Sequence, residues 1–371
     1  MKESLVEQLL SRIMNWEDNK IVEELPKIQF MAEMKYDHYD QFMPGTRFLG
    51  SLSKWLSDFD KEDRNIMFDF VKNKLIFISS SQMTYLITLL YRKCVSSALA
   101  HKTAEEMRIP PYKINGIKKS ETYKREKRLA LFIGLSDGAH MDVVRRVGGL
   151  SNEQVLTNYY PDKDKLEDMR KELLNDSLLK ELDESDRKFN SLYLIDDFTA
   201  SGTSFIRKKD IDQYKGKLTK IIDKFFNSKV NETSRELLLP NVDIHIIFCL
   251  ATQCAISHIE NLLSEFIKSR GLEERISFDV RCVQIIPNRV ADEIKNDTTL
   301  VDIIKKEKYI NKKNVGTKSY KVGHGEQDYF GYGDGALPLV LSHNTPNNSI
   351  LVLWQDDDDH YPSLFPRINR H

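Results

Sequence analysis

Apolar residues in the first hundred positions fall at helical spacing. Leu5, Leu9, Ile13 and Trp16 repeat every third or fourth residue, which places them on one buried helix face. A second group, Phe48, Leu52, Trp55, Leu56 and Phe59, stops at the charged run Lys61 to Arg64. A third, Ile66 to Val71, leads into the short apolar run Leu75 to Ile78. Ser79, Ser80 and Ser81 then supply hydroxyl caps for a helix from Gln82 to Lys93. The pattern predicts a helical region over residues 1–103. Three helices and a short strand suit either a winged helix or a plain helical packing module, and no residue pattern marks a groove-reading helix.

Residues 104–128 break that rhythm. Pro110, Pro111 and Gly116 interrupt structure, and Lys118, Lys119, Lys124, Arg125, Lys127 and Arg128 follow. The segment reads as a basic linker, either a phosphate or nucleic-acid contact or a solvated stretch with a charged helix face. From Leu129 onward strand-length apolar runs recur: Leu129–Leu135, Leu192–Ile195, Ile244–Ala251, Phe278–Ile286, Leu337–Leu341 and Ile350–Trp354. Amphipathic helical segments separate the first four, at Asp162–Leu182, Lys217–Phe226 and Ala255–Ser269. Buried strands alternating with such helices predict an α/β domain over 129–371, with a mainly parallel twisted sheet covered by helices on both faces. The last two runs, with no helix between them, predict a closing C-terminal hairpin.

Composition adds exclusions. The chain has 371 residues, 30% charged and 40% hydrophobic, with formal net charge -1. It is long enough for a core that needs no metal or disulfide staple. A chain-wide field attracting nucleic acid is absent, which leaves only a local basic patch for that role. Cys94, Cys249, Cys254 and Cys282 show no zinc-ligand spacing, so free thiols in a reducing compartment are expected, with Cys249 and Cys282 buried. No signal-peptide core and no membrane-length apolar run occurs, which predicts a cytoplasmic protein with no membrane partner.

Chemistry concentrates between Leu192 and Lys208. An apolar strand ends in two adjacent acids, Asp196 and Asp197, followed by the small-residue loop Thr199, Ala200, Ser201, Gly202, Thr203 and Ser204. Ligands of open α/β sheets bind beyond the carboxyl ends of strands. A glycine with positive φ, successive amides and a helix beginning near Thr203 would suit a phosphate. Paired carboxylates repel phosphate but accept hydrogen bonds from sugar hydroxyls, or act through Mg²⁺ and its waters. Acids and loop together describe a phosphorylated ribose.

This segment resembles the PRPP-binding motif of type I phosphoribosyltransferases. The resemblance implies that Asp196 and Asp197 hold the ribose 2′- and 3′-hydroxyls, with Mg²⁺ as cofactor, and that Thr199 to Ser204 hold the 5′-phosphate. Upstream, Ser136, Asp137 and Gly138 end the first α/β strand where those enzymes carry a pyrophosphate loop; Asp137 makes sense there only through Mg²⁺ or backbone binding. With Leu150–Val155, His343 to Asn348, Ile350–Trp354 and Pro362–Arg367, the two loops look like the PRTase-CE group, phosphoribosyltransferase-like domains of bacterial conflict systems. That likeness implies an anti-phage effector that binds PRPP or a nucleotide and cleaves or transfers at ribose C1′. A partner encoded beside it, such as a reverse transcriptase or a sensor protein, is implied as well. The alternative is a non-catalytic sensor or adaptor that regulates a partner protein or nucleic acid. One departure bears on this choice: Met141–Asn190 reads mostly as helix, without the second strand and flexible catalytic loop of the enzymes.

Other candidates carry two readings each. His343, Asn344, Asn347 and Asn348 form either a polar site reading a base or an Asx-rich turn. Gly323-His324-Gly325 and Gly331 to Gly335 are a lid or ordinary turns. Asp356 to Asp359 attract a metal or are simply solvated. His140 lies beside the proposed pyrophosphate loop, touching ligand or solvent. Ser136 has no triad partners, which argues against serine-hydrolase chemistry.

Overall fold

The computed structural model describes residues 3–158, 163–210, 213–226, 236–312, 327–355 and 361–367. In chain order they form α1 (Glu3–Met14), α2 (Asp18–Met34), α3 (Phe48–Ser57), α4 (Arg64–Asn73), β1 (Ile76–Ile78), α5 (Ser80–Leu89), α6 (Ser96–Met107), α7 (Ile114–Lys119) and α8 (Glu121–Arg128). Next come β2 (Ala130–Gly134), α9 (Met141–Gly148), β3 (Val155–Leu156), α10 (Lys163–Asn175), β4 (Phe189–Thr199), β5 (Arg207–Asp210), β6 (Gln213–Lys215) and α11 (Lys217–Phe226). The remainder are β7 (Leu238–Thr252), α12 (Gln253–Ser269), β8 (Ile276–Ile286), α13 (Arg289–Lys295), α14 (Thr298–Ile304) and β9 (Leu339–Leu341). Among the described residues no helix is long and apolar enough to cross a membrane.

Two units divide the chain. One is discontinuous, residues 1–83 with 287–371; the other is 84–286. These limits differ from the boundaries at 103 and 128 read from the sequence.

The second unit is α/β. Its sheet runs β3-β2-β4-β7-β8, and every neighbouring pair is parallel. Strand residues alternate between faces. Leu131, Ile133, Leu192, Leu194, Ile244 and Ile246 join Leu173, Ile221, Phe225, Ile259 and Leu263 from α10, α11 and α12 in one core. On the opposite face Phe132, Tyr193 and His245 stack across β2, β4 and β7. The β3 strand lies inside the interval expected to be helical; at two residues it is too short to leave a period in the sequence. Where the sequence reads as a basic linker, two helices, α7 and α8, pack on α6. Arg128 is buried and bonds Asp176 at 2.5 Å, while Arg125 pairs with Glu106. Cys94 and Cys249 are buried, Cys282 is half-buried and Cys254 exposed; all four are free thiols.

In the first unit the ends of the chain share one core. Trp55 is fully buried and its Nε1 donates to Val352 O at 2.8 Å. Phe365 packs among Tyr36, Phe48 and Phe77. The β1 strand pairs in parallel with β9, Phe77 opposite Val340, so it is no wing of a winged helix. Among the described residues no antiparallel ladder joins Leu337–Leu341 to Ile350–Trp354 as the expected C-terminal hairpin would; the bridge there, Leu337 with Ser349 just before the second run, is parallel. Ile350–Trp354 instead makes a buried 3-10 turn at Leu351–Leu353. A five-residue apolar run carries no period that separates strand from buried helix. Ser79 caps α5 as expected, its Oγ accepting from Gln82 N at 3.3 Å.

Candidate functional site

The strand β4 is central in the sheet, which carries its carboxyl end deep into the second unit. Asp196 is 2% exposed and Asp197 7%. The neighbouring strand β2 ends one residue short of the loop Ser136–Gly138, and Leu135 N donates to Ile195 O at 2.8 Å. That register delivers the loop to the acids. Ser136 Oγ donates to Asp196 Oδ1, and Asp197 N donates to the same oxygen at 3.1 Å. Gly138 lies against the second carboxylate so closely that a Cβ there would stand 2.5 Å from Asp197 Oδ2. The sequence thus carries glycine where the loop must touch the acid. Asp137 is exposed and Gly138 buried, in a 3-10 turn ending at Ala139; His140, with φ 44°, is exposed.

A lysine that local sequence reading passed over completes the group. Lys217, the first residue of α11, places Nζ 2.9 Å from Asp196 Oδ2 and 4.6 Å from the Phe205 ring centroid. Burial pushes the Asp196 carboxyl up to about 6, and the adjacent Asp197 charge adds to this, while Lys217 and Ser136 pull the other way. A cation twenty-one residues beyond its acid is a tertiary contact; its only local trace is a basic residue opening an amphipathic helix.

The loop after Asp197 turns as expected, but no helix begins at Thr203. Gly202 has φ 74°, and a Cβ there would lie 2.9 Å from His258 Cδ2 and 3.0 Å from Ala255 O. Phe205 N and Ile206 N both donate to Gly202 O, at 3.0 and 3.1 Å, closing one turn. The exposed antiparallel hairpin of β5 and β6 follows, and the helix starts only at Lys217. Within the loop Gly202 N donates to Thr199 Oγ1 at 3.2 Å, and Thr203 N to Ser201 Oγ at 3.4 Å. Ser201 and Thr203 share a hydroxyl contact of 2.9 Å. Two residues missed from sequence fix the loop from behind. Thr252 Oγ1 donates to Ala200 O at 2.5 Å while accepting from Ala255 N, and His258 Nε2 donates to Ile206 O at 2.9 Å.

Asp196, Asp197, Ser136, Asp137, Gly138 and Thr199 to Ser204 therefore belong to the second unit. His343, Asn344 and Asn347 belong to the first. Their main-chain groups are bonded there: His343 O accepts from Gln41 Nε2 at 2.5 Å, Asn344 N donates to Leu341 O at 3.0 Å, and Asn347 O accepts from Tyr332 N at 2.6 Å. The Asp356–Asp359 run and Gly323-His324-Gly325 lie outside the described residues.

The donor set suits a hard cation. Asp197 supplies one carboxylate of Mg²⁺'s usual demand for one or two acids, with waters and ligand oxygens for the remaining positions, while both oxygens of Asp196 already accept from Ser136, Asp197 N and Lys217. Among the described residues no cluster of three or more His, Cys, Asp or Glu side chains forms a metal cage.

No curated protein and no solved structure matches the chain. A family model does match, over residues 52–367. That span takes in both loops, the parallel sheet and the C-terminal segments, and the chain belongs to the phosphoribosyltransferase-like PRTase-CE family.

Proposed function

We propose that the second unit binds a 5-phosphoribosyl compound, PRPP or a nucleotide, with Mg²⁺, and cleaves or transfers at ribose C1′ as an effector of bacterial anti-phage defence. The observation that carries this reading is the contact of Gly138 with Asp197, the acid that leads into the loop of Gly202. A buried carboxylate ends the strand, with the Ser136–Gly138 loop against it and the small hydroxylated loop following it in the chain. In this reading Asp197 accepts from the ribose hydroxyls, and Asp196, held by Ser136 and Lys217, fixes the position of its neighbour. A 5′-phosphate takes over the Gly202 and Thr203 amides from Thr199 and Ser201, whose hydroxyls then turn to donate to it. Bound Mg²⁺ would offset the charge of the phosphate oxygens. At C1′ the bond to pyrophosphate or base breaks with its electron pair leaving on that group, and a base, another nucleophile or water then bonds C1′; the oxocarbenium-like state between them is favoured by the negative charge of the acids at the strand end. The defence role and an operon partner such as a reverse transcriptase rest on family membership.

The sensor reading has one observation in its favour. The Lys217 ammonium already occupies Asp196 Oδ2, so the first acid is committed within the protein. Incubation with PRPP and a nucleotide panel in Mg²⁺, with calorimetry and product chromatography, separates the two. Turnover abolished in Asp197→Asn supports the enzyme. Tight binding without product supports the sensor. Absence of binding to every member of the panel overturns both.

A further inference from the structure

We infer that β8 is the interface at which two copies of this chain pair, antiparallel, about a two-fold axis through Val280. β8 is the edge of the parallel sheet: β7 lies on one side, and among the described residues no strand lies on the other. It is eleven residues long, and Phe278 through Val283 are all half-exposed. Open edges of this length invite pairing unless something blocks them.

The direction of the backbone groups follows from the ladder. Val242 N donates to Arg275 O, and Asp243 and His245 stand opposite Ser277 and Asp279. Odd-numbered residues of β8 thus face β7, and the N–H and C=O groups of Phe278, Val280 and Cys282 face outward. An antiparallel copy centred on Val280 sets Val280 against itself and Phe278 against Cys282 of the second copy, each pair exchanging both backbone bonds. Phe278, Val280 and Cys282 are partly buried on the α12 side, and their mutual contact would complete that burial.

Charge selects this register. Asp279 and Arg281 sit two apart on the other face, paired at 2.5 Å within the chain. With the axis at Val280, Asp279 of each copy meets Arg281 of the other. Moving the axis one residue sets Asp279 against Asp279 or Arg281 against Arg281, and a parallel in-register pair does both; like charges directly opposite are unfavourable. Charges that normally shield an edge here admit one partner, a second copy of the same strand.

Sedimentation velocity of the full chain tests this. The wild type sediments as a dimer that dissociates on dilution. Arg281→Glu weakens it about tenfold or more, since two opposite-charge contacts become repulsive, and the exchange Asp279→Arg/Arg281→Glu restores it. Hydrogen exchange gives a reading free of variants: the Phe278, Val280 and Cys282 amides gain protection as wild-type concentration rises. A wild type monomeric at ~100 µM overturns the proposal, as does exchange at those amides that ignores concentration. An Arg281→Glu chain that dimerises like wild type overturns the register.

Discussion

Replacing Asp196 by Asn removes a titration that the fold has displaced. The carboxyl is 2% exposed, lies beside Asp197, and has its pKa raised to about 6 in the folded chain; an unfolded Asp ionises near pH ~3.9. Between those values the folded protein keeps a proton that the unfolded chain has released. Stability therefore falls as pH rises from about 4 through about 6 and levels off above. A displacement from about 3.9 to about 6 corresponds to about 3 kcal/mol. Asparagine keeps an oxygen for Ser136 and has no charge to bury. Lys217 loses its partner, but at 22% side-chain exposure its ammonium reaches water. The expected result is a variant that gains about 2–3 kcal/mol on the wild type between pH 4.5 and 7.5. Trp16, Trp55 and Trp354 all lie in the first unit, so tryptophan fluorescence would follow the wrong half. Far-UV circular dichroism in urea at constant ionic strength follows the sheet. A wild-type-to-variant difference that stays flat across the range, or that moves the other way, refutes the argument.

Lys217→Met should cost more at pH 8 than at pH 5, because Lys217 holds the buried Asp196 carboxyl down and its ion pair stabilises the fold only where that acid is ionised; without the cation the carboxyl titrates higher still, and roughly 3 kcal/mol is expected at the upper end, read from the same urea curves. Gly138→Ala places a methyl group 2.5 Å from Asp197 Oδ2, turning the carboxylate away. A loss of about 1–2 kcal/mol in stability and at least ~10-fold in affinity for PRPP with Mg²⁺ is expected by calorimetry. Gln355 is fully buried and bonds Asn311 N at 2.9 Å, Tyr309 O at 2.9 Å and Pro362 O at 2.7 Å. Gln355→Ala should cost the first unit about 3–5 kcal/mol, visible in the unfolding fluorescence of neighbouring Trp354.

Much of the second unit is legible because its signals are local. The strand at Leu192–Ile195 is an unbroken apolar run, α11 shows Leu218, Ile221, Ile222 and Phe225 on one face, and the acids and small residues after Ile195 are contiguous. What stayed hidden depends on distant pairing. The hairpin of β5 and β6 replaces the helix start expected at Thr203, since Arg207 to Lys215 is polar and carries neither period strongly. Lys217 reaches Asp196 only because that hairpin returns the chain to the strand end. The apolar run Leu337–Leu341 reads as half of a hairpin with Ile350–Trp354, whereas its strand, Leu339–Leu341, pairs with Ile76–Ile78, far back in the sequence. Nothing near either segment records the match.

The shared core of the first unit sets a schedule for synthesis. Trp55, Phe48 and Phe77 leave the ribosome early, yet the groups that cover them, Val352 and Phe365, follow roughly three hundred residues later. At about 5–20 residues per second that wait is on the order of tens of seconds. The intervening sheet can close meanwhile, with all its strands in hand, while the early helices hold greasy faces that only a chaperone or their own late-arriving tail can shelter.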